Sequence, residues 1–287
     1  MILDGKVVAA DIKEQLKEEI YTAVANGGRS PKLVIISVGD DPASKVYVRN
    51  KMKAAEEVGI ITNHFPMGIL DDSFPTTEYV QGIIIRFNMD EEIDGIMVQL
   101  PLPSHLDERA IIDAIDPAKD VDGLTTTNIG RLRSGQDYLK PCTAAGIIDL
   151  CKYYNIELDG RNVAIIGRSN IVGKPLADMM MMEGATVTQC HSHTRSLEDA
   201  INFADIVVCA VGKPNFLKGD NLGEYTTTII DVGINRNHEG KLCGDVDFHS
   251  AMCAPNMQNI TPVPGGVGPM TVAELMKNVV EAWRTRI

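Results

Sequence analysis

The run Asn162-Val163-Ala164-Ile165-Ile166-Gly167-Arg168-Ser169-Asn170-Ile171-Val172-Gly173-Lys174-Pro175 is an apolar strand that enters a glycine, crosses a short loop, meets a second glycine and starts a helix. Pro175 suits a first helical turn, where its missing N–H has no intrahelical use. Such a turn aims free N–H groups and the positive helix end at one spot, which favours a phosphate. The spacing is Gly-x-x-x-x-x-Gly rather than the dinucleotide fingerprint Gly-x-Gly-x-x-Gly, so an ordinary strand–turn–helix connection also fits. The next strand, Thr186 to Cys190, ends at His191-Ser192-His193-Thr194-Arg195, 24 residues after Gly167. An Asp or Glu there would hold a ribose 2′-hydroxyl. None is present; Ser192, Arg195 and the upstream Arg168 are. Hydroxyl and guanidinium groups suit a 2′-phosphate and favour NADP over NAD; the alternative is a solvated loop. His191 and His193 read as loop polarity, and no metal site is expected.

Outward from this unit the same alternation covers the chain. Upstream, strands are expected at Leu33 to Val38, Ile60 to Phe65 and Gly95 to Leu100. Helices fall before Gly27-Gly28, over Ser44 to Val58, Pro75 to Phe87 and Leu106 to Ile115. Downstream, strands at 162–166, 185–190, 205–210 and 227–232 alternate with helices at 143–153, 174–183 and 196–203, and a last helix spans Met270 to Arg284. Strands alternating with helices imply parallel sheets and an α/β fold. The alternation pauses over 116–142, among Pro, Asp, Gly, Thr and Ser, which marks the expected domain junction. The Met179 to Met182 run reads as packing filler.

The chain has 287 residues, 44% of them hydrophobic and 23% charged, with 27 Lys+Arg against 39 Asp+Glu. That length favours two domains, and the composition is that of a globular protein. A net charge of −12 argues against nucleic-acid or anionic-membrane binding, which needs clustered Lys and Arg. No uncharged apolar run approaches the roughly 18 residues of a membrane span, and the acidic start is not a secretory signal. Six cysteines without a Cys-x-x-Cys pair read as buried free thiols, and a cytoplasmic protein is expected. The acidity is uneven: residues 1–122 carry 12 cations against 22 acids, residues 123–287 carry 15 against 17. Within the acidic half, Ser44 to Lys53 holds Lys45, Arg49, Lys51 and Lys53 with no acid, a local cationic helix suited to an anionic ligand.

On that helix Tyr47 and Lys51 are four apart and share a face: an aromatic platform beside an amine, or a plain solvated basic face. Asp120-Val121-Asp122-Gly123 reads first as turn chemistry. Thr261 to Thr271 sets three glycines and three prolines in a stiff, side-chain-poor loop before a helix, as needed where backbone approaches a ligand closely.

Taken together, these segments closely resemble the bifunctional methylenetetrahydrofolate dehydrogenase/methenyltetrahydrofolate cyclohydrolase family over essentially the whole chain. The resemblance is carried by Tyr47-Val48-x-x-Lys51, Gly95-Ile96-Met97-Val98-Gln99-Leu100-Pro101-Leu102-Pro103 and Lys119-Asp120-Val121-Asp122-Gly123. Gly167-Arg168-Ser169-x-x-Val172-Gly173-x-Pro175, Asp231-Val232-Gly233-Ile234-Asn235 and Pro262 to Thr271 extend it. It implies two α/β domains with a cleft between them: residues 1–121 with the C-terminal helix 268–287 bind folate, and 122–267 form a Rossmann-like NADP-binding domain. It implies NADP-dependent oxidation of methylenetetrahydrofolate, hydrolysis of the methenyl product to formyltetrahydrofolate, and a homodimer paired through the nucleotide domains.

By the same resemblance Lys51 is the proton-transfer residue, Gln99 its neutral hydrogen-bonding partner, Tyr47 the stacking platform, and Asp122 the grip on the pterin edge. A lysine suits proton transfer where burial or a neighbour brings it toward neutrality. Val98, Leu100, Pro264, Gly265, Gly266, Val267, Gly268 and Thr271 would line the folate site. Gly167, Arg168, Ser169, Ile171, Gly173, Ser192, Arg195, Gly212 and Ile234 would take the cofactor, with the Gly212-Lys213-Pro214 turn bordering it. Two stretches depart from the family pattern: Leu124-Thr125-Thr126-Thr127-Asn128 lacks the usual proline, and Ala144 stands where proline is usual. Both bear on loop geometry, not on proton chemistry. Two rivals are a dehydrogenase of the same family with little cyclohydrolase activity, and a non-catalytic NADP-binding regulator. The presence of Tyr47, Lys51, Gln99 and Asp122 argues against both.

Overall fold

A computed structural model describes residues 1–68, 75–136 and 138–286. In chain order it contains α1 (Gly5–Ala25), β1 (Lys32–Val38), α2 (Pro42–Val58), β2 (Ile61–Met67), α3 (Thr77–Asn88), β3 (Gly95–Val98), α4 (Glu108–Ile112), α5 (Thr126–Ser134) and α6 (Cys142–Tyr153). There follow β4 (Asn162–Ile166), α7 (Gly173–Met182), β5 (Thr186–Cys190), α8 (Leu197–Ile201), β6 (Ile206–Cys209), β7 (Thr228–Asp231), β8 (Asn235–Arg236), β9 (Leu242–Cys243), α9 (Phe248–Met252), β10 (Asn259–Ile260) and α10 (Val267–Arg284). Contacts divide the chain into two compact units. The first comprises Ala10–Cys142 and Val272–Ile287, the second Met1–Ala9 and Thr143–Thr271.

The first unit is built on a parallel sheet of order β2-β1-β3. Successive strand residues face opposite sides, and here both sides are covered, which is why β1 reads as a continuous apolar run. Leu33, Ile35 and Met97 pack with Leu16 and Ile20 of α1, Val48 and Val58 of α2, and Leu275, Val279 and Trp283 of α10. Val34, Ile36, Ile96 and Val98 pack with Val80 and Ile84 of α3 and Ile111 of α4.

The second unit holds a five-stranded parallel sheet of order β10-β7-β6-β4-β5. From β4 the chain goes to β5 on one side, then crosses to β6, β7 and β10 on the other. The order therefore reverses beside β4, and ligands of such sheets bind outside the carboxyl ends of the strands at that point. Both units are thus α/β with parallel sheets, as the alternation of strands and helices predicts.

Four details differ from the sequence reading. The stretch 116–142 is not structureless: it contains α5, whose N-cap Thr125 accepts a hydrogen bond from Asn128 N–H. The last helix begins at Val267, so Val267, Gly268 and Thr271 belong to it rather than to a loop; Pro269 falls in its first turn, where proline is tolerated. Only Cys142, Cys151, Cys190 and Cys209 are buried; Cys243 is half-buried and Cys253 exposed. Of the Met run, Met179 and Met180 are buried while Met181 and Met182 face solvent.

Candidate functional site

Helix α2 starts on Asp41, which accepts from Ser44 N–H, with Pro42 in the first turn. Along it Tyr47 and Lys51 lie one turn apart on one stripe. Lys51 Nζ donates to Gln99 Oε1 at 3.2 Å. Gln99 follows β3 and is buried; its Nε2 donates to Leu100 O at 2.6 Å, which fixes the amide with its oxygen toward the lysine. Val98, on the same strand, is buried, and Leu100 is half-buried. Burial raises the Asp122 carboxyl above its ordinary range, while the Lys51 charge and the Cys142 thiol pull it back down. Lys51 therefore bonds a neutral amide oxygen, and its charge acts on the Asp122 carboxyl.

The residues around Asp122 explain how it is held. Lys119 is 1% exposed, and its ammonium donates to Phe87 O, Asn88 O and Asp90 O at 3.1, 2.8 and 2.6 Å, closing the end of α3. Asp120 accepts from Leu124 N–H and Thr125 N–H and from Asn128 Nδ2, anchoring the start of α5. From α10, Asn278 Nδ2 donates to Val121 O and Lys140 O at 2.8 and 2.7 Å. Lys119, Asp120 and Val121 are thus tied inward, leaving Asp122 as the acid beside Lys51. Turn chemistry describes Asp120 but not Asp122. The cations of α2 do not act together: Lys45, Arg49 and Lys53 form a second stripe, away from Tyr47 and Lys51. They line a cavity of about 780 Å³ with Ser37, Thr62 and His64, and Lys45 pairs with Asp40 at 2.5 Å.

In the second unit Gly167 leaves β4 at φ +134°, and a Cβ there would meet Ala210 O at 2.3 Å. A Cβ on Gly173 would meet Gly167 O at 2.3 Å, so the turn closes on itself at both glycines. Ser169 Oγ accepts from Val172 N–H at 3.2 Å and Gly173 N–H at 3.4 Å, just before and at the start of α7, which leaves its hydroxyl proton to donate outward. Arg168, Ser169, Ile171, Ser192 and Arg195 are exposed. Ile166 pairs with Cys190, so Gly167–Arg168 and His191–Ser192 leave adjacent strands side by side. Ile166 also pairs with Cys209, and the turn at Gly212 follows on the other flank. Exposed Ile234 follows β7. His193 N–H donates to His191 Nδ1, as loop polarity predicts. The glycine cradle, the capped helix start and the two exposed guanidiniums fit a dinucleotide with an extra phosphate.

Pro264, Gly265 and Gly266 precede α10 and fall in the second unit with Val267, Gly268 and Thr271; Thr271 Oγ1 donates to Thr143 Oγ1 at 3.2 Å.

Residues 3–122 match the family model of the tetrahydrofolate dehydrogenase/cyclohydrolase catalytic domain, and residues 141–287 that of its NAD(P)-binding domain. The chain belongs to the tetrahydrofolate dehydrogenase/cyclohydrolase family. It is 48% identical to the bifunctional protein FolD of Agathobacter rectalis over 99% of both chains. The solved bifunctional enzyme of Campylobacter jejuni is similar at a TM-score of 0.94 and 42% identity, covering 100% of this chain and 99% of that one. The Trypanosoma brucei enzyme, solved with NADP cofactor and an inhibitor, is similar at 0.91 and 35% identity over 99% of this chain and 97% of that one. The family read from the motifs, its two enzymatic activities and its NAD(P)-binding domain are therefore those of this chain. Among the described residues no helix is long and apolar enough to cross a membrane.

The NAD(P)-binding domain also holds a carboxylate pair, Asp231 of the quoted motif and Asp245, to which the motifs assign no role. Burial, together with the nearby Asp245 charge, pushes Asp231 up to about 6, against hydrogen bonds from Val246, Asp245 and Gly233 N–H that favour the charged form. A carboxyl raised above its unfolded value of 3.8 gives stability that is full below that value and is lost as pH rises through about 6. The interval corresponds to about 3 kcal/mol. Urea denaturation between about pH 4 and 7 should show that Asp231→Asn removes this component of the slope. Identical pH slopes in wild type and variant would contradict the assignment.

Proposed function

We propose that this chain oxidises 5,10-methylenetetrahydrofolate with NADP and hydrolyses the 5,10-methenyl product to 10-formyltetrahydrofolate, with Lys51, Gln99, Tyr47 and Asp122 as its folate-side machinery. The observation that carries this reading is the Lys51–Gln99 hydrogen bond of 3.2 Å beside the Asp122 carboxyl. Gln99 holds the amine in place at the bridge without adding a charge. Asp122 offers two oxygens to the amino-substituted pterin edge, and Tyr47 offers a face for stacking. During hydrolysis water adds to the methenyl carbon and one carbon–nitrogen bond of the bridge breaks. Lys51 moves the proton between the attacking water and the departing ring nitrogen, and one proton is released overall. When bound, NADP supplies the hydride acceptor for the first step. Lys51 then orients the methylene bridge rather than exchanging a proton with it.

Lys51, Gln99, Tyr47 and Asp122 give the first unit the folate machinery, and the second unit takes the cofactor role. Arg168 and Arg195, exposed at the ends of β4 and β5, would hold the 2′-phosphate, with Ser169 donating to the cofactor near the start of α7. Losing a charge-assisted contact costs about 1.5–3 kcal/mol, so Arg168→Ala should raise the apparent KM for NADP roughly tenfold or more while that for NAD stays within about twofold. Equal effects on both cofactors would defeat the 2′-phosphate role. The homodimer is proposed to pair through the second unit, whose edge strand β5 is half-exposed. The free cysteines suit a reducing, cytoplasmic compartment.

A further inference from the structure

Two turns proposed to border NADP, Val211–Lys213 after β6 and Gly233–Asn235 after β7, are joined from beneath by one side chain. Asp245 is fully buried. Its Oδ2 accepts from Val211 N–H and Gly212 N–H at 2.6 and 2.9 Å, and its Oδ1 from Lys213 N–H and Asn235 Nδ2 at 2.8 Å each. Those four donors use the full accepting capacity of a carboxylate. Three come from successive backbone N–H groups, a concave anion nest that this protein fills with its own acid. Asp245 is itself held: its N–H and that of Val246 donate to Asp231 at 2.9 and 3.0 Å, and Gly233 N–H donates to Asp231 at 3.1 Å. A Cβ on Gly244 would lie 1.7 Å from Asp231 Oδ2, so the approach leaves no room for a side chain there.

We propose that Asp245 is the positioning residue of the cofactor site, fixing the Gly212 turn and the Ile234 turn relative to each other so that both meet the dinucleotide in one register. This rests on the NADP reading above. Because the nest N–H groups all point at Asp245, the turn cannot offer them to a cofactor phosphate; it presents its outer face instead. Asp245 is sealed from solvent and does not touch the cofactor, so its effect passes through the turns.

The test uses the full-length protein. Asp245→Asn keeps the shape but turns one acceptor oxygen into an NH2 group facing N–H donors. NADPH affinity, read by fluorescence titration, should weaken about tenfold or more. The kcat/KM for hydrolysis of supplied methenyltetrahydrofolate, which needs no cofactor, should stay within about twofold. Asn235→Ala guards against a variant that fails to fold: it removes one of the four bonds and keeps the carboxylate, and should weaken NADPH about threefold. Wild-type NADPH affinity in both variants, or folate and cofactor parameters falling in parallel, would overturn the positioning role. A wild-type protein that hydrolyses the methenyl substrate but binds no NADPH would instead defeat the NADP reading, and this inference with it.

Discussion

Lys51→Met should leave a folded protein whose hydrolysis of methenyltetrahydrofolate is slower by about 10²- to 10⁴-fold, the range a positioned proton-transfer group contributes. Methionine preserves the unbranched stem and its packing along α2 while deleting the ammonium that donates to Gln99 Oε1. Gln99 itself keeps its bond to Leu100 O, so the strand end should not move. Dehydrogenase activity should fall less, because hydride transfer asks the amine to orient the bridge and not to exchange a proton with it. The decay of methenyl absorbance measures the first effect and NADPH formation the second. A wild-type rate of methenyl decay in the variant would remove Lys51 from the mechanism.

Lys119→Met should be the most damaging change to stability outside the apolar core. The side chain is buried, and burial lowers its affinity for its proton, yet its ammonium satisfies three carbonyls at the end of α3. Methionine fills a similar volume but takes a charged donor from all three carbonyls, leaving Phe87 O and Asp90 O to the N–H groups of Asp90 and Ile93. Each lost hydrogen bond from a charged donor costs about 1.5–3 kcal/mol. The loss also frees Lys119-Asp120-Val121 to shift, and with it Asp122. A chemical denaturation curve should show a midpoint shift equivalent to about 3 kcal/mol or more. An unchanged midpoint would show that water or another donor replaces the amine.

The central strands were legible because β1, β4 and β7 are buried on both faces and stand out as apolar runs without alternation, whereas the edge strands β2 and β5 are half-exposed. Helix α5 was not, although Thr125 and Gly135 cap it; with only Asn128 and Leu132 buried, it has no apolar stripe to betray it. Strands β8, β9 and β10 are two residues each, too short for any period. At the site, Tyr47, Lys51, Gln99 and Asp122 were readable through motif resemblance, and the structure brings Lys51 to Gln99 and Asp122. Lys45, Arg49 and Lys53 looked equivalent to Lys51 by charge, yet helical geometry turns them to another face. The supports were hidden for a different reason. Asn278 is, with Glu274, a polar residue on the buried face of α10, a signal available in the sequence, but its partners Val121 and Lys140 lie far away along the chain. Asp245 looks like any acid until β6 and β7 are adjacent. The chemistry is spelled locally; the groups that aim it are assembled by the fold.

The most direct test of one chain performing both reactions is a single progress curve with methylenetetrahydrofolate and NADP. NADPH absorbance should grow, accompanied by formyltetrahydrofolate, with methenyl intermediate that rises and then decays. NADPH growth with a methenyl product that persists would contradict the hydrolytic role of the Lys51–Gln99 pair. No NADPH growth at all would contradict the account as a whole.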